Sequence, residues 1–138
     1  MAEAGPIRVL FLGHPAKLHN SNEYYPMLAK ALGRDAIYFD YTVSVEEALG
    51  DAQYLGQFDV LLLYANHGTI QPHQWTNLKN FVENGGGFVP VHCASWCFGN
   101  EPGFDKLVGG RFKSHQAAVF SARISDGKHP AMKGVKAF

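Results

Sequence analysis

Seven histidines are spread over the 138 residues, and five stand where the chain would leave a strand or a turn: His14, His19, His67, His92 and His115. Imidazole is the side chain that gives and takes a proton near neutral pH, and it is a common metal ligand. His14 directly follows the apolar run Ile7-Arg8-Val9-Leu10-Phe11-Leu12-Gly13, with His19 a few residues on. His67 comes just after Phe58-Asp59-Val60-Leu61-Leu62-Leu63-Tyr64, and His92 ends Gly87-Phe88-Val89-Pro90-Val91. If these runs are parallel strands they share one carboxyl end, so His14, His67 and His92 arrive on the same side, with His19 and His115 in reach. The chemistry on offer is acid–base work, hydrogen bonding to a substrate, or metal binding. One imidazole at a strand end usually does no more than pair with loop backbone, but three together argue for a ligand site. No HExxH pattern is present, so a divalent metal, which stays open as a cofactor, would need ligands from three separate loops. His73, at a helix start, and His129, in the last turn, lack such company.

Cys93 follows His92 at the position of a nucleophile elbow, where a helix N-terminus would favour the thiolate. His92 or His115 could serve it as the base. An elbow usually has glycine two residues to either side, and here those positions are Val91 and Ser95. A buried, inert thiol is therefore the preferred reading for Cys93, and for Cys97 as well. Trp96, Phe98 and Phe104 crowd the same segment, either as a platform for a sugar ring or as core.

The elements that must position these residues follow from hydrophobic pattern. Residues 7–13, 36–41, 58–64 and 87–92 read as strands, and residues 117–124 as a fifth, half-buried one by alternation. Pro90 is out of place in a central strand, which calls for a bulge or for pairing on one side only. Residues 22–32 read as a helix with Tyr24, Leu28 and Ala31 on one face and Pro26 in its first turn. Ser44-Val45-Glu46-Glu47 has capping-box spacing for a short helix ending near Gly50. Pro72 opens a helix with Trp75, Leu78, Phe81 and Val82 inward, stopped by Gly85. Residues 104–108 form a short helix closed by Gly109-Gly110, and residues 126–130 a turn. Strands alternating with helices at this spacing imply a parallel α/β sheet in one domain spanning residues 1–138.

Composition removes other classes. Twelve basic and twelve acidic residues cancel, with neither sign in a long run, so neither nucleic acid nor a membrane surface is an expected partner. Two cysteines make no disulfide framework, and their CxxxC spacing is neither a redox CxxC nor a zinc knuckle. The opening Met-Ala-Glu-Ala-Gly-Pro is no signal peptide, which leaves cytoplasm and periplasm both open.

With these residues in view, the chain resembles the trehalose-utilisation (ThuA-like) domains of the class I glutamine amidotransferase-like superfamily. The resemblance rests on Gly13-His14, on Gly85-Gly86-Gly87-Phe88-Val89-Pro90-Val91-His92, on Leu107-Val108-Gly109-Gly110-Arg111-Phe112-Lys113-Ser114-His115 and on His129-Pro130. It implies a flavodoxin-like three-layer sandwich with a ligand cleft at the strand ends, and a link to carbohydrate metabolism. His14, His92 and His115 would be cleft residues. The expected ligand is a small sugar or sugar derivative, handled by a hydrolase-type activity with His92, His115 or Cys93 as catalytic groups and His14, His19, His67 and Trp96 binding substrate. A non-catalytic carbohydrate-binding or interaction module is the alternative. So is an amidotransferase or hydrolase with Cys93 as nucleophile, since Cys93 matches the amidotransferase nucleophile by position, although ThuA-like domains do not generally depend on a cysteine there. Domains of this family continue past the His-Pro segment with an acidic and aromatic stretch and further strands. The chain is therefore expected to be incomplete at its C-terminal end, with an uncovered sheet edge or apolar face and a tendency to form homo-oligomers.

Overall fold

The structure, a computed structural model, describes residues 5–136. The opening residues 1–4 and the closing residues 137–138 lie outside them.

Four parallel strands make the sheet. They are β1 (Ile7–Gly13), β4 (Ile37–Thr42), β5 (Val60–Tyr64) and β6 (Gly87–Pro90), in the order β4-β1-β5-β6. Two short strands, β2 (Pro15–Ala16) and β3 (His19–Asn20), pair antiparallel in the loop after β1. The central strand β1 pairs in register with β4 (Val9 opposite Phe39) and with β5 (Val9 opposite Val60). The chain reverses direction across the sheet between β1 and β5. Their carboxyl ends are thus the switch point at which sheets of this kind bind ligands.

Strand alternation divides the apolar side chains between two layers. Leu10, Leu12, Leu61 and Leu63 turn into the main core with Ala48, Leu49, Leu55 and Leu78. The last four come from α2 (Val45–Leu49), α3 (Ala52–Leu55) and α4 (Pro72–Glu83). Phe11 points the other way, edge-on to Tyr41 and Tyr25, which stack on each other at 4.6 Å. Tyr25 belongs to α1 (Ser21–Leu32), so helices lie on both faces in three layers. Ser44 caps α2 through the Glu47 N–H, as the capping-box spacing predicts.

Several expectations are corrected. Helix α1 starts at Ser21, capped by the Asn20 side chain, which makes Pro26 its sixth residue rather than part of the first turn. The Asn22 carbonyl thereby loses its helical donor, at a position open to water. Ser21, not Tyr24 or Ala31, is the buried residue of α1. Residues 117–124 form no strand: Phe120 is 85% exposed and no described strand pairs with the segment. Alternation records a readiness to be half-buried, and without a ladder partner or a face to cover it produces no strand. Pro90 sits on β6, an edge strand among the described residues, so its missing N–H costs no bond on the outer side.

Candidate functional site

The loops leaving β1, β5 and β6 meet above the switch point, and specific bonds hold them together. Gly13 closes β1 against α1. A Cβ there would strike Ser21 Oγ and come within 2.6 Å of the Tyr41 ring, so only glycine permits the approach. Ser21 Oγ accepts from the His14 backbone N–H at 2.8 Å and shares a 2.7 Å bond with the Tyr41 hydroxyl, which donates to Asn22 Oδ1. The β5 and β6 loops are joined by Phe98 N–H to the His67 carbonyl and by Gly99 N–H to the Gly68 carbonyl. Asn100 adds a two-way pair with the Ile70 backbone.

The structure sorts the five site histidines into two groups. His14 and His67 stack at 4.7 Å over the ends of β1 and β5. His67 Nε2 is 3.0 Å from the Gly13 carbonyl, which can only accept, so this nitrogen carries the proton. Burial lowers the His67 pKa, the carbonyl bond opposes that, and neighbouring His14 adds to the lowering. The resulting pair is neutral at His67 and braces the two loops. Neither ring lines the adjoining pocket.

The second group does line it. His19 and His92 lie 4.9 Å apart, tilted at 56° to each other, and both line a cavity of about 280 Å³ with His115. Asn66, Trp96 and Phe112 complete the wall above a floor at Cys93. Trp96 is 47% exposed, whereas Phe98 and Phe104 are fully buried, which separates the platform candidate from the core aromatics. Asn66 Oδ1 is buried without a hydrogen-bond partner, an acceptor awaiting a donor. Tyr64 stacks behind His92 at 6.3 Å, its hydroxyl kept protonated by burial and by the neighbouring Cys93 and Tyr24.

His92 occupies the strained position of the turn. Its φ of 50° lies in the left-handed region, at the step from β6 into the 3-10 turn His92–Trp96. Such a conformation costs a non-glycine residue about 1–3 kcal/mol and throws the side chain clear of the strand end. The elbow apex is therefore His92. Cys93, one residue on, is 8% exposed, and burial raises its pKa. It stands on a 3-10 turn of five residues, which lacks the dipole expected to stabilise a thiolate. Cys97 is buried, its thiol pushed up to about 12 while it donates to the Ala65 carbonyl. Among the described residues no group of three or more His, Cys, Asp or Glu is placed to hold a metal ion. Of the histidines outside the site, His73 pairs with Glu46 at 3.3 Å and His129 caps the turn Pro130–Met132.

Arg111 and Asn66 do work that their types and spacing do not announce. Arg111 clamps Asp105 with two bonds from Nε at 2.8 and 2.9 Å and a 2.8 Å ion pair from its terminal nitrogen. It also donates to the Trp96 and Cys97 carbonyls, and Phe112 N–H donates to the Ser95 carbonyl. The segment after α5 (Pro102–Val108) is thus fastened across the elbow turn, which brings His115 to the pocket. For Arg111 the available signal was its place in the Gly-Gly-Arg-Phe run; for Asn66, its place at a strand end.

A parallel α/β sheet with a cleft over its switch point defines the class: a flavodoxin-like three-layer domain. A sequence profile of the trehalose-utilisation (ThuA) family matches residues 8–138. The chain belongs to this family. A protein described as ThuA-like from Bacteroides uniformis has the same fold, with a TM-score of 0.78 over 99% of this chain at 20% identity. Another so described, from Parabacteroides merdae, gives a TM-score of 0.59 over 73% of this chain at 22% identity. The chain spans 58% of the length of the first and 37% of the second. No curated protein sequence matches it.

Proposed function

We propose that this domain acts on a sugar derivative in the pocket lined by His19 and His92, with His92 as the central acid–base group. The left-handed φ of His92, which Ala36 and Phe98 share, supports the reading because here it coincides with a ring that lines the pocket. His92 suits acid–base work on such a ligand, taking a proton from an attacking water or giving one to a departing oxygen. Trp96 offers a ring face for a sugar, and Asn66 Oδ1 an acceptor for one of its hydroxyls. The family's link to trehalose utilisation supports a glucoside-type substrate.

The test is turnover of trehalose and other glucosides by the wild type, His92→Gln and Cys93→Ser. The reading expects His92→Gln to lower turnover by about 100-fold or more and Cys93→Ser to leave it largely intact. The reverse order would establish thiol catalysis. Glucoside binding that needs Asn66 and Trp96 without turnover by the wild type would make this a carbohydrate-binding module.

A further inference from the structure

Three rings meet beside the pocket, and they are not equally well held. The backbone of His92 is fixed: the Val91 N–H before it donates to the Leu63 carbonyl, and Ser95 Oγ donates to the His92 carbonyl at 3.1 Å. Among the described residues its imidazole makes no protein hydrogen bond, so packing alone sets the rotation of the ring. His19 stands on β3, a strand of two residues paired only with the two of β2, and its ring has no protein hydrogen bond among the described residues either. Tyr64 is mounted differently. It is the last residue of β5, a strand paired on both sides, and lies in register with Gly13 of β1. Its ring stacks on His92 at 6.3 Å with 22° between the planes and stands edge-on to His19 at 6.4 Å. Tyr24 of α1 buttresses it, edge-on at 5.3 Å. One firmly held ring thus packs against two loosely held imidazoles, both of which line the pocket.

We infer that Tyr64 is the positioning residue of this site: its ring, rather than its hydroxyl, sets the orientation of His92 and His19 from the end of β5. The inference rests on His92 as the acid–base group of the proposed site and names the part that aims it. Aromatic rings about 4.5–7 Å apart prefer offset-stacked or edge-to-face arrangements, and Tyr64 makes one of each kind with the two imidazoles. The contact therefore selects one ring orientation from the rotamers that an unsupported imidazole would sample. A group that moves a proton must hold its nitrogen within hydrogen-bond reach of that proton, so a misplaced ring loses rate more than binding. No hydrogen bond joins the Tyr64 hydroxyl to either imidazole among the described residues, which is why the ring carries the role.

Proton NMR of the ligand-free protein, beside kcat and KM for trehalose and other glucosides, tests this on the wild type, Tyr64→Phe and Tyr64→Leu. In the wild type and Tyr64→Phe, ring-proton cross-peaks are expected between His92 and His19 and between His92 and the ring at position 64. Tyr64→Leu should lose the His92–His19 cross-peak while keeping that of the His14–His67 stack, which the Gly13 carbonyl braces independently. It should also lower kcat by about tenfold or more with KM changed by less than about threefold, whereas Tyr64→Phe keeps the wild-type kcat. A His92–His19 cross-peak that survives Tyr64→Leu, an unchanged kcat in that variant, or a Tyr64→Phe protein that loses the cross-peak overturns the inference. So does absence of the cross-peak from the wild type, so the wild-type and Tyr64→Phe spectra decide even if Tyr64→Leu fails to fold. Failure of the wild type to turn over any glucoside overturns the sugar-derivative reading instead, and the cross-peaks then decide the role of Tyr64 by themselves.

Discussion

At the scale of single residues, the division of labour among the histidines is the main result. His92 stands at the strained apex and His67 is a neutral brace, although both end strands of one sheet. What separates them is whether a backbone acceptor captures the ring. Gly13 captures His67, and among the described residues no protein hydrogen bond holds the His92 ring. Cys93→Ser should cost about 1–3 kcal/mol, since a hydroxyl with a stronger need for a hydrogen bond replaces a buried thiol. Urea denaturation checks this. Asn66→Ala should weaken a bound glucoside by about 0.5–1.5 kcal/mol, the net value of one hydrogen bond, as read by calorimetry.

At the scale of elements, the site depends on two fastenings. Gly13→Ala pushes a methyl group into Ser21 and Tyr41, and the account expects a loss of about 1–3 kcal/mol in urea denaturation. Arg111→Ala removes the Asp105 clamp and two carbonyl bonds, freeing Trp96 and His115. A loss of about 1–2 kcal/mol, with weaker glucoside binding and unchanged far-UV circular dichroism, is the expected outcome. The same elements explain how far the sequence could be read. Period and punctuation located β1, β4, β5, β6 and α4 to within a few residues, because each buries a face against its neighbours. Strand order then brought His14, His67 and His92 to one edge. Which rings would share a pocket was not legible, since it depends on the capture of His67 by a carbonyl and on the fastening of a distant segment by Arg111. Helix α1 was placed to within one residue, but Pro26 was misread as part of its first turn because proline is commonest there. Residues 117–124 failed for the opposite reason: their alternation is plain, but no partner strand accompanies it.

At the scale of the whole molecule, the sheet is covered unevenly. The α2–α4 face holds the core, whereas Val89 of β6, an edge strand among the described residues, and Val91 just after it are exposed. An open edge of this kind invites pairing with another chain. Sedimentation should detect concentration-dependent self-association that Val89→Lys suppresses. A second consequence concerns pH. The His67 pKa is lower in the folded state than in the unfolded chain, so the unfolded state binds more protons as pH falls. Stability is then fully present above the unfolded value of about 6.5 and declines as pH drops through it towards the folded value. Melting temperatures taken from pH 8 to pH 5 should fall, and His67→Gln should flatten the part of that slope due to this ring.

The central claim is that His92 is the working group of a sugar-derivative site. Turnover of trehalose and other glucosides by the wild type and His92→Gln, beside the affinity of each protein for the same ligands, tests it most directly. The account predicts at least about a 100-fold loss of turnover with affinity changed by less than about tenfold. Unchanged turnover and unchanged affinity in His92→Gln would contradict it.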